Sequence, residues 1–305
     1  MKAIPLATKT PRQLIRKYLR KKAWNWFDWN QNIFLKPNDG ISHLPLLGET
    51  HDEDVVQALV HLARFLPGTF LDIGANIGLV SVAMAGHVGK IICIEANPLV
   101  CNILKVNLAL NCSDFAVHEY ALGSTASTAT LHVPRKNLGG AFLLDSNQYD
   151  LDQLARKDGY ARYSSENYLS QEVTIRACDD ALEAIKAGGH QSLLVKIDVE
   201  GLDQLVLQSA LKVFPALFAS AAIAVVFESH DRASAKWLRE QTQQWGYEVY
   251  GLRVVHRPRI RQPVLRRLYK LVAGERDELE FTPLQELAPD SSVTNFACCP
   301  SRFLG

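Results

Sequence analysis

A doubly wound α/β fold, a mostly parallel sheet with helices on both faces, is what this sequence predicts. Three observations predict it. Short apolar runs of strand length alternate with longer runs at helical spacing. The runs TFLDIG (69–74), KIICIEA (90–96), SLLVKID (192–198) and AIAVVFES (222–229) are almost continuously apolar, as strands covered on both faces are. The first of them runs straight into a glycine-containing turn and a helix, where such sheets bind their ligands.

The elements follow in order. PRQLIRKYLRKK (11–22) sets Leu14, Ile15, Tyr18 and Leu19 at helical spacing among basic residues, and AWNWFDW follows with three tryptophans. We read this as a solvated basic helix with an aromatic plug onto the main body, in preference to a helix lying on an anionic membrane. HDEDVVQALVHLARFL (51–66) opens with acids, which suit the positive end of a helix dipole, and stops at Pro67-Gly68. TFLDIG is a strand and NIGLVSVAMAGHV a helix. KIICIEA is a strand and PLVCNILKVNLALN (98–111) a helix. FAVHEYAL (115–122) is a strand, and TATLHV (128–133) an extra one. Residues 134–170 are polar, with Gly139-Gly140, and form a long loop or insertion. EVTIRAC (172–178) is a short strand, DDALEAIKAGG a helix, SLLVKID a strand, LDQLVLQSALKVF a helix and AIAVVFES a strand. RASAKWLREQTQQWG is a helix, YEVYGLRVV a strand, and TNFACCPS (294–301) the last strand.

Composition bounds the rest. The chain is 48% apolar and 21% charged, as in an ordinary globular domain, and its 305 residues suit one large domain with appendages. A net charge of +1 gives no bulk reason to expect nucleic acid. Two segments are basic without any acid: residues 1–27, with eight Lys/Arg, and 253–270, with seven. The longest apolar run (213–227) is too short to span a bilayer and contains Pro215. No signal-peptide core is visible. The six cysteines form no CxxC pair and read as reduced thiols of a cytoplasmic protein rather than zinc ligands.

The turn DIGANIG (72–78) names a nucleotide-type cofactor. A P-loop would need Lys-Ser/Thr after the last glycine, which is missing. A dinucleotide fingerprint would need glycine where Asn76 stands. S-adenosylmethionine has no phosphate, and its ammonium and sulfonium favour a carboxylate such as Asp72. Glu95 ends the second strand, 21 residues after Gly74, where a carboxylate can accept both ribose hydroxyls. That spacing suits NAD equally.

DIGANIG (72–78), IEANP (94–98), YALG (120–123), NLGGAF (137–142) and KIDVEG (196–201) occur in this order. Together they resemble the FkbM-type family of S-adenosylmethionine-dependent methyltransferases, over roughly residues 51–250 plus the last strand. KIDVEG with its LDQLVLQSA helix is the most specific part. The resemblance implies a class I, Rossmann-like sheet of seven mostly parallel strands. It implies S-adenosylmethionine as cofactor and O-methylation of a hydroxyl on a sugar, glycolipid or natural product. Asp72, Gly74, Asn76 and Gly78, with Ala75 between them, would line the methionine end. Glu95 would hold the ribose, and Ala96, Tyr120 and Ala121 would lie near the adenine. The chain then divides into a basic, aromatic extension (1–50) and a methyltransferase domain (51–305), with the insertion at about 134–170 and the basic segment at about 253–270.

A hydroxyl acceptor gains from losing its proton during attack. Candidates at strand carboxyl ends are Asp198 and Glu200 after SLLVKI, and Glu228 and His230 after the next strand. Asp198 could instead bind the cofactor ammonium. Asp198, Glu228 and His230 could also hold Mg²⁺, but no decisive further oxygen ligand is apparent and no metal is expected. Lys196 needs a carboxylate partner in its apolar strand. His118 and His132 read as structural. The basic clusters hint at an acidic acceptor. The alternatives are an NAD-linked oxidoreductase, or a catalytically silent protein that keeps the fold and binds a partner.

Overall fold

The computed structural model describes residues 27–28, 33–35, 52–143, 151–199, 201–229, 232–257, 276–288 and 291–304. Its elements in chain order are β1 (Phe27–Asp28), β2 (Ile33–Phe34), α1 (Glu53–Ala63), β3 (Thr69–Ile73), α2 (Leu79–Ala83), β4 (Lys90–Ile94), α3 (Pro98–Asn111), β5 (Phe115–His118), β6 (Ala121–Gly123), β7 (Ser127–Pro134) and β8 (Phe142–Leu143). There follow α4 (Leu151–Lys157), β9 (Tyr168–Ala177), α5 (Cys178–Lys186), β10 (Leu193–Ile197), α6 (Asp203–Val213), α7 (Pro215–Ala219), β11 (Ile223–Glu228), α8 (Ala233–Thr242), β12 (Tyr247–Arg257), β13 (Arg276–Pro283) and β14 (Asn295–Pro300).

The main sheet runs β13-β12-β14-β11-β10-β3-β4-β5. Strands β11, β10, β3, β4 and β5 pair in parallel. Strand β14 inserts antiparallel between β11 and β12, and β13 adds antiparallel to β12. The doubly wound α/β expectation holds, with eight strands in place of the expected seven. The extra strand is β13, which lies in a stretch whose polarity hides it in the sequence. From Glu278 to Phe281 it alternates acid and apolar residues, the pattern of an outermost strand with one face in water.

Alternate residues of each central strand enter opposite apolar layers. Leu71, Ile73, Val195, Ile197, Val225 and Phe227 pack towards α5, α6 and α8. Phe70, Leu194, Ala224 and Val226 pack towards α1 and α3. Burying one such side chain fully contributes roughly 1.5–3 kcal/mol, so these two layers dominate the stability of the sheet. The helix expected at 98–111 is found with those bounds. Pro98 is its first residue, and the Asn97 side chain caps it by accepting from Leu99 N at 3.0 Å. All six cysteines are free thiols, five of them buried.

A second sheet, β6-β9-β7-β8, corrects part of the element reading. FAVHEYAL is not one strand. It breaks after His118, and β6 leaves the main sheet to pair in parallel with β9. EVTIRAC belongs to the ten-residue β9, which pairs antiparallel with the expected extra strand β7. The expected insertion supplies β8, α4 and the start of β9. The basic helix at 11–22 and residues 258–270 of the basic segment lie outside the described residues. Among the described residues no helix is long and apolar enough to cross a membrane.

Candidate active site

A cavity of about 420 Å³ sits at the carboxyl ends of β3, β4, β10 and β11. The chain order reverses between β3 and β10, so the cavity lies at the switch point of the sheet. Its size falls in the range of roughly 300–1,000 Å³ common for small-molecule sites.

The turn after β3 forms one wall through Gly74, Ala75, Asn76 and Ile77. Gly74 has φ +81°, and a Cβ there would stand 1.9 Å from the carbonyl oxygen of Asp198. Only glycine satisfies both the backbone and the contact. Asn76 keeps the left-handed conformation at φ +52°, which asparagine tolerates better than most residues. It therefore replaces the dinucleotide glycine in conformation while adding a side chain. Gly78 does not line the cavity. Its Cα faces α3, where a Cβ would meet Leu104 Cδ1 at 2.7 Å.

Glu95 is half-buried at the end of β4 and holds the turn in place. Its Oε2 accepts from Asn76 N and its Oε1 from Asn97 N, both at 2.7 Å. Each carboxylate oxygen retains a lone-pair direction for a ligand hydroxyl. Burial pushes the Glu95 carboxyl up, and the two N–H donors oppose it. Ala96, Tyr120, Ala121 and Leu122 continue this wall. Asn137–Leu143, containing the NLGGAF motif, closes it from the second sheet, tied to α3 by Asn97 Nδ2 donating to Leu138 O at 3.1 Å.

Asp72 does not reach the cavity, contrary to the expected lining role. It is fully buried, and its Oδ2 accepts from Ser81 Oγ at 2.6 Å. Its other oxygen lies 3.3 Å from Lys196 Nζ. Lys196 does line the cavity, and it also donates to Asp198 Oδ2 at 3.1 Å and Gly74 O at 3.2 Å. Burial pushes the Lys196 ammonium down, but Asp198 and Asp72 outweigh it, so the group is raised and cationic.

The opposite end of the cavity is polar. Asp52, Asp198, Glu228, Thr294 and Asn295 meet there. Glu228 and Asn295 are register partners across β11 and β14, and Asn295 Nδ2 donates to Asp54 Oδ2 at 3.0 Å. Asp52 precedes α1 with φ +50°. Asp52, Thr294 and Asn295 are not among the residues expected from the sequence, where the acids of HDED suit a helix start and nothing local marks the other two. Glu200 and His230 lie outside the described residues. Among the described residues no three His, Cys, Asp or Glu are grouped to hold a metal. Burial pushes the thiols up, to about 11 for Cys178 and about 12 for Cys101, so both are protonated at neutral pH and poor nucleophiles.

The donor set fits S-adenosylmethionine. There is a carboxylate for a ribose, an apolar wall beside it for an adenine, and carboxylates further along for cationic groups. Fold and cavity together define a Rossmann-like class I methyltransferase. The profile of the Methyltransferase FkbM domain matches residues 72–253. The chain belongs to this FkbM family, whose methyl donor is S-adenosylmethionine.

Comparison with curated proteins gives no match. Among solved structures, a precorrin 8W decarboxylase of Methanobacterium thermoautotrophicum is 12% identical, over 88% of this chain and 95% of that one, with TM-score 0.41. A precorrin-6y C5,15-methyltransferase of Geobacter metallireducens is 13% identical over 87% and 100%, with TM-score 0.39. An O-methyltransferase of Bacillus cereus in complex with SAH is 10% identical over 93% and 88%, with TM-score 0.37.

Proposed function

We propose that this methyltransferase acts on oxygen, methylating a hydroxyl of an uncharged sugar, glycolipid or natural product. One observation carries this reading: the cavity joins a Glu95 end, with free acceptor capacity and an apolar wall, to an end lined by Asp52, Asp198 and Glu228. When bound, S-adenosylmethionine supplies a methyl carbon activated by the adjoining sulfonium. Glu95 would accept from the two ribose hydroxyls, and Gly74–Ile77 would seat the methionine portion. Asp198 and Glu228, at the ends of adjacent strands, would orient the acceptor hydroxyl and take up its proton as attack proceeds. Lys196 is the one cation among the described residues lining the cavity. That balance disfavours a phosphorylated acceptor, and the basic clusters that hinted at one lie largely outside the described residues.

Transfer of a labelled methyl group to panels of neutral hydroxylated sugars, amino sugars, sugar phosphates and polyketides tests this. We expect base-stable methyl ethers on neutral acceptors. Asp198→Asn or Glu228→Gln should lower turnover by roughly a hundred- to ten-thousand-fold. Label found only on nitrogen or carbon, or only on phosphorylated acceptors, would refute the proposal.

A further inference from the structure

Lys196 ties together three segments of the chain. Its side chain is 5% exposed, and Asp72, which is fully buried beside it, would suffice to offset the ammonium. Yet its ammonium faces three oxygens: it donates to Asp198 Oδ2 at 3.1 Å and to Gly74 O at 3.2 Å, and stands as an ion pair 3.3 Å from Asp72 Oδ1. These oxygens belong to the end of β10, the turn after β3 and β3 itself. Register explains the meeting. Lys196 and Asp72 are direct partners across the parallel pair, so both side chains point towards the same face. The main chains close on each other too, with Asp198 N donating to Ile73 O at 3.0 Å and no room for a Cβ on Gly74.

The surrounding titratable groups come from every neighbouring element. Asp52 precedes α1, Cys93 and Glu95 belong to β4 and its end, and Glu228 ends β11. Asp198 is the exposed member of the network, with a 42% accessible side chain in the cavity wall. Holding such a carboxylate in one rotamer costs entropy that an internal ion pair would not need to spend.

We infer that Lys196 is a positioning residue for methyl transfer: it locks Asp198 and the Gly74 turn to one another, so the carboxylate and the cofactor turn keep a single relative geometry. The inference rests on reading this cavity as the S-adenosylmethionine site. It predicts that removing the lysine damages cofactor binding even where the fold is intact.

The test is calorimetric titration with S-adenosylhomocysteine, alongside thermal unfolding, of wild type, Lys196→Met, Asp72→Asn and the double variant. Lys196→Met strands the Asp72 carboxylate in the core and lowers Tm; adding Asp72→Asn restores it. In the restored double variant, affinity should stay roughly ten- to a hundred-fold below that of Asp72→Asn alone, the loss of a charge-assisted contact. Adding Asp198→Asn should then cost little more, because the lysine acts through it. Affinity that returns together with Tm would reduce Lys196 to a core ion-pair partner and overturn the inference. A wild-type chain that fails to bind would instead overturn the cofactor-site reading, which keeps the two failures apart. If the double variant does not unfold cooperatively, Asp72→Asn with Lys196→Gln takes its place and is judged by the same comparison.

Discussion

Gly74 answers two demands, a left-handed backbone and a neighbouring carbonyl that leaves no room for a Cβ. Gly86 has the same φ of +81° but no atom within 4 Å of where a Cβ would stand, so it isolates the first demand. Gly86→Ala should cost about 1–2 kcal/mol, the backbone penalty alone. Gly74→Ala should cost about 2–5 kcal/mol, since overpacking against Asp198 O is added. Thermal unfolding of the two variants measures the difference, and equal losses would mean that the turn does not press on Asp198. Single residues were unevenly legible in the sequence. Glu95 could be found because its distance from the glycine turn is set by one βαβ unit, which is local. Asp72 was legible as a strand-end acid, but not its burial, because Lys196 and Ser81 come to it from elsewhere. Asp52 and Asn295 line one cavity although more than two hundred residues separate them, and no local pattern reports such a meeting of distant segments.

Elements were legible where burial on both faces imposes a continuous apolar run, as in β3, β4, β10 and β11. They were missed where pairing switches partners without a break in pattern. FAVHEYAL contains neither glycine nor proline, so nothing local marks the point where β5 ends and β6 joins another sheet. The tie between the β1–β2 hairpin and the rest was equally hidden. Asn107 of α3 is fully buried and makes three bonds: Oδ1 accepts from Phe34 N at 2.7 Å, and Nδ2 donates to Phe34 O at 3.1 Å and to Ile77 O at 2.7 Å. One side chain thus fastens the hairpin and the cofactor turn to the same helix. Asn107→Leu should cost about 2–4 kcal/mol, because it strands buried backbone groups. Amide exchange should quicken at residues 33–35 and 74–78 together. Quickening confined to 33–35 would show that the turn is held independently.

At the scale of the molecule, the sheet reversal between β3 and β10 opens the cavity, and the two apolar layers back its walls. The family assignment and the cavity agree on S-adenosylmethionine, and the polar far end supports a hydroxyl acceptor. Binding of the product S-adenosylhomocysteine probes the cofactor half without any knowledge of the acceptor. Its pH dependence carries a sign. On the proposed role, the ionised Glu95 would accept from the ribose hydroxyls, and burial has raised this carboxyl, so affinity should fall on acidification beginning above the usual carboxylate range. The most direct measurement is therefore a calorimetric titration of wild type and Glu95→Gln with S-adenosylhomocysteine across that range, with NADH as the comparison ligand. We expect tight wild-type binding that weakens on acidification, a roughly ten- to a hundred-fold loss and a flatter pH profile in Glu95→Gln, and little response to NADH. Wild-type affinity in Glu95→Gln, or preferential binding of NADH, would contradict the account.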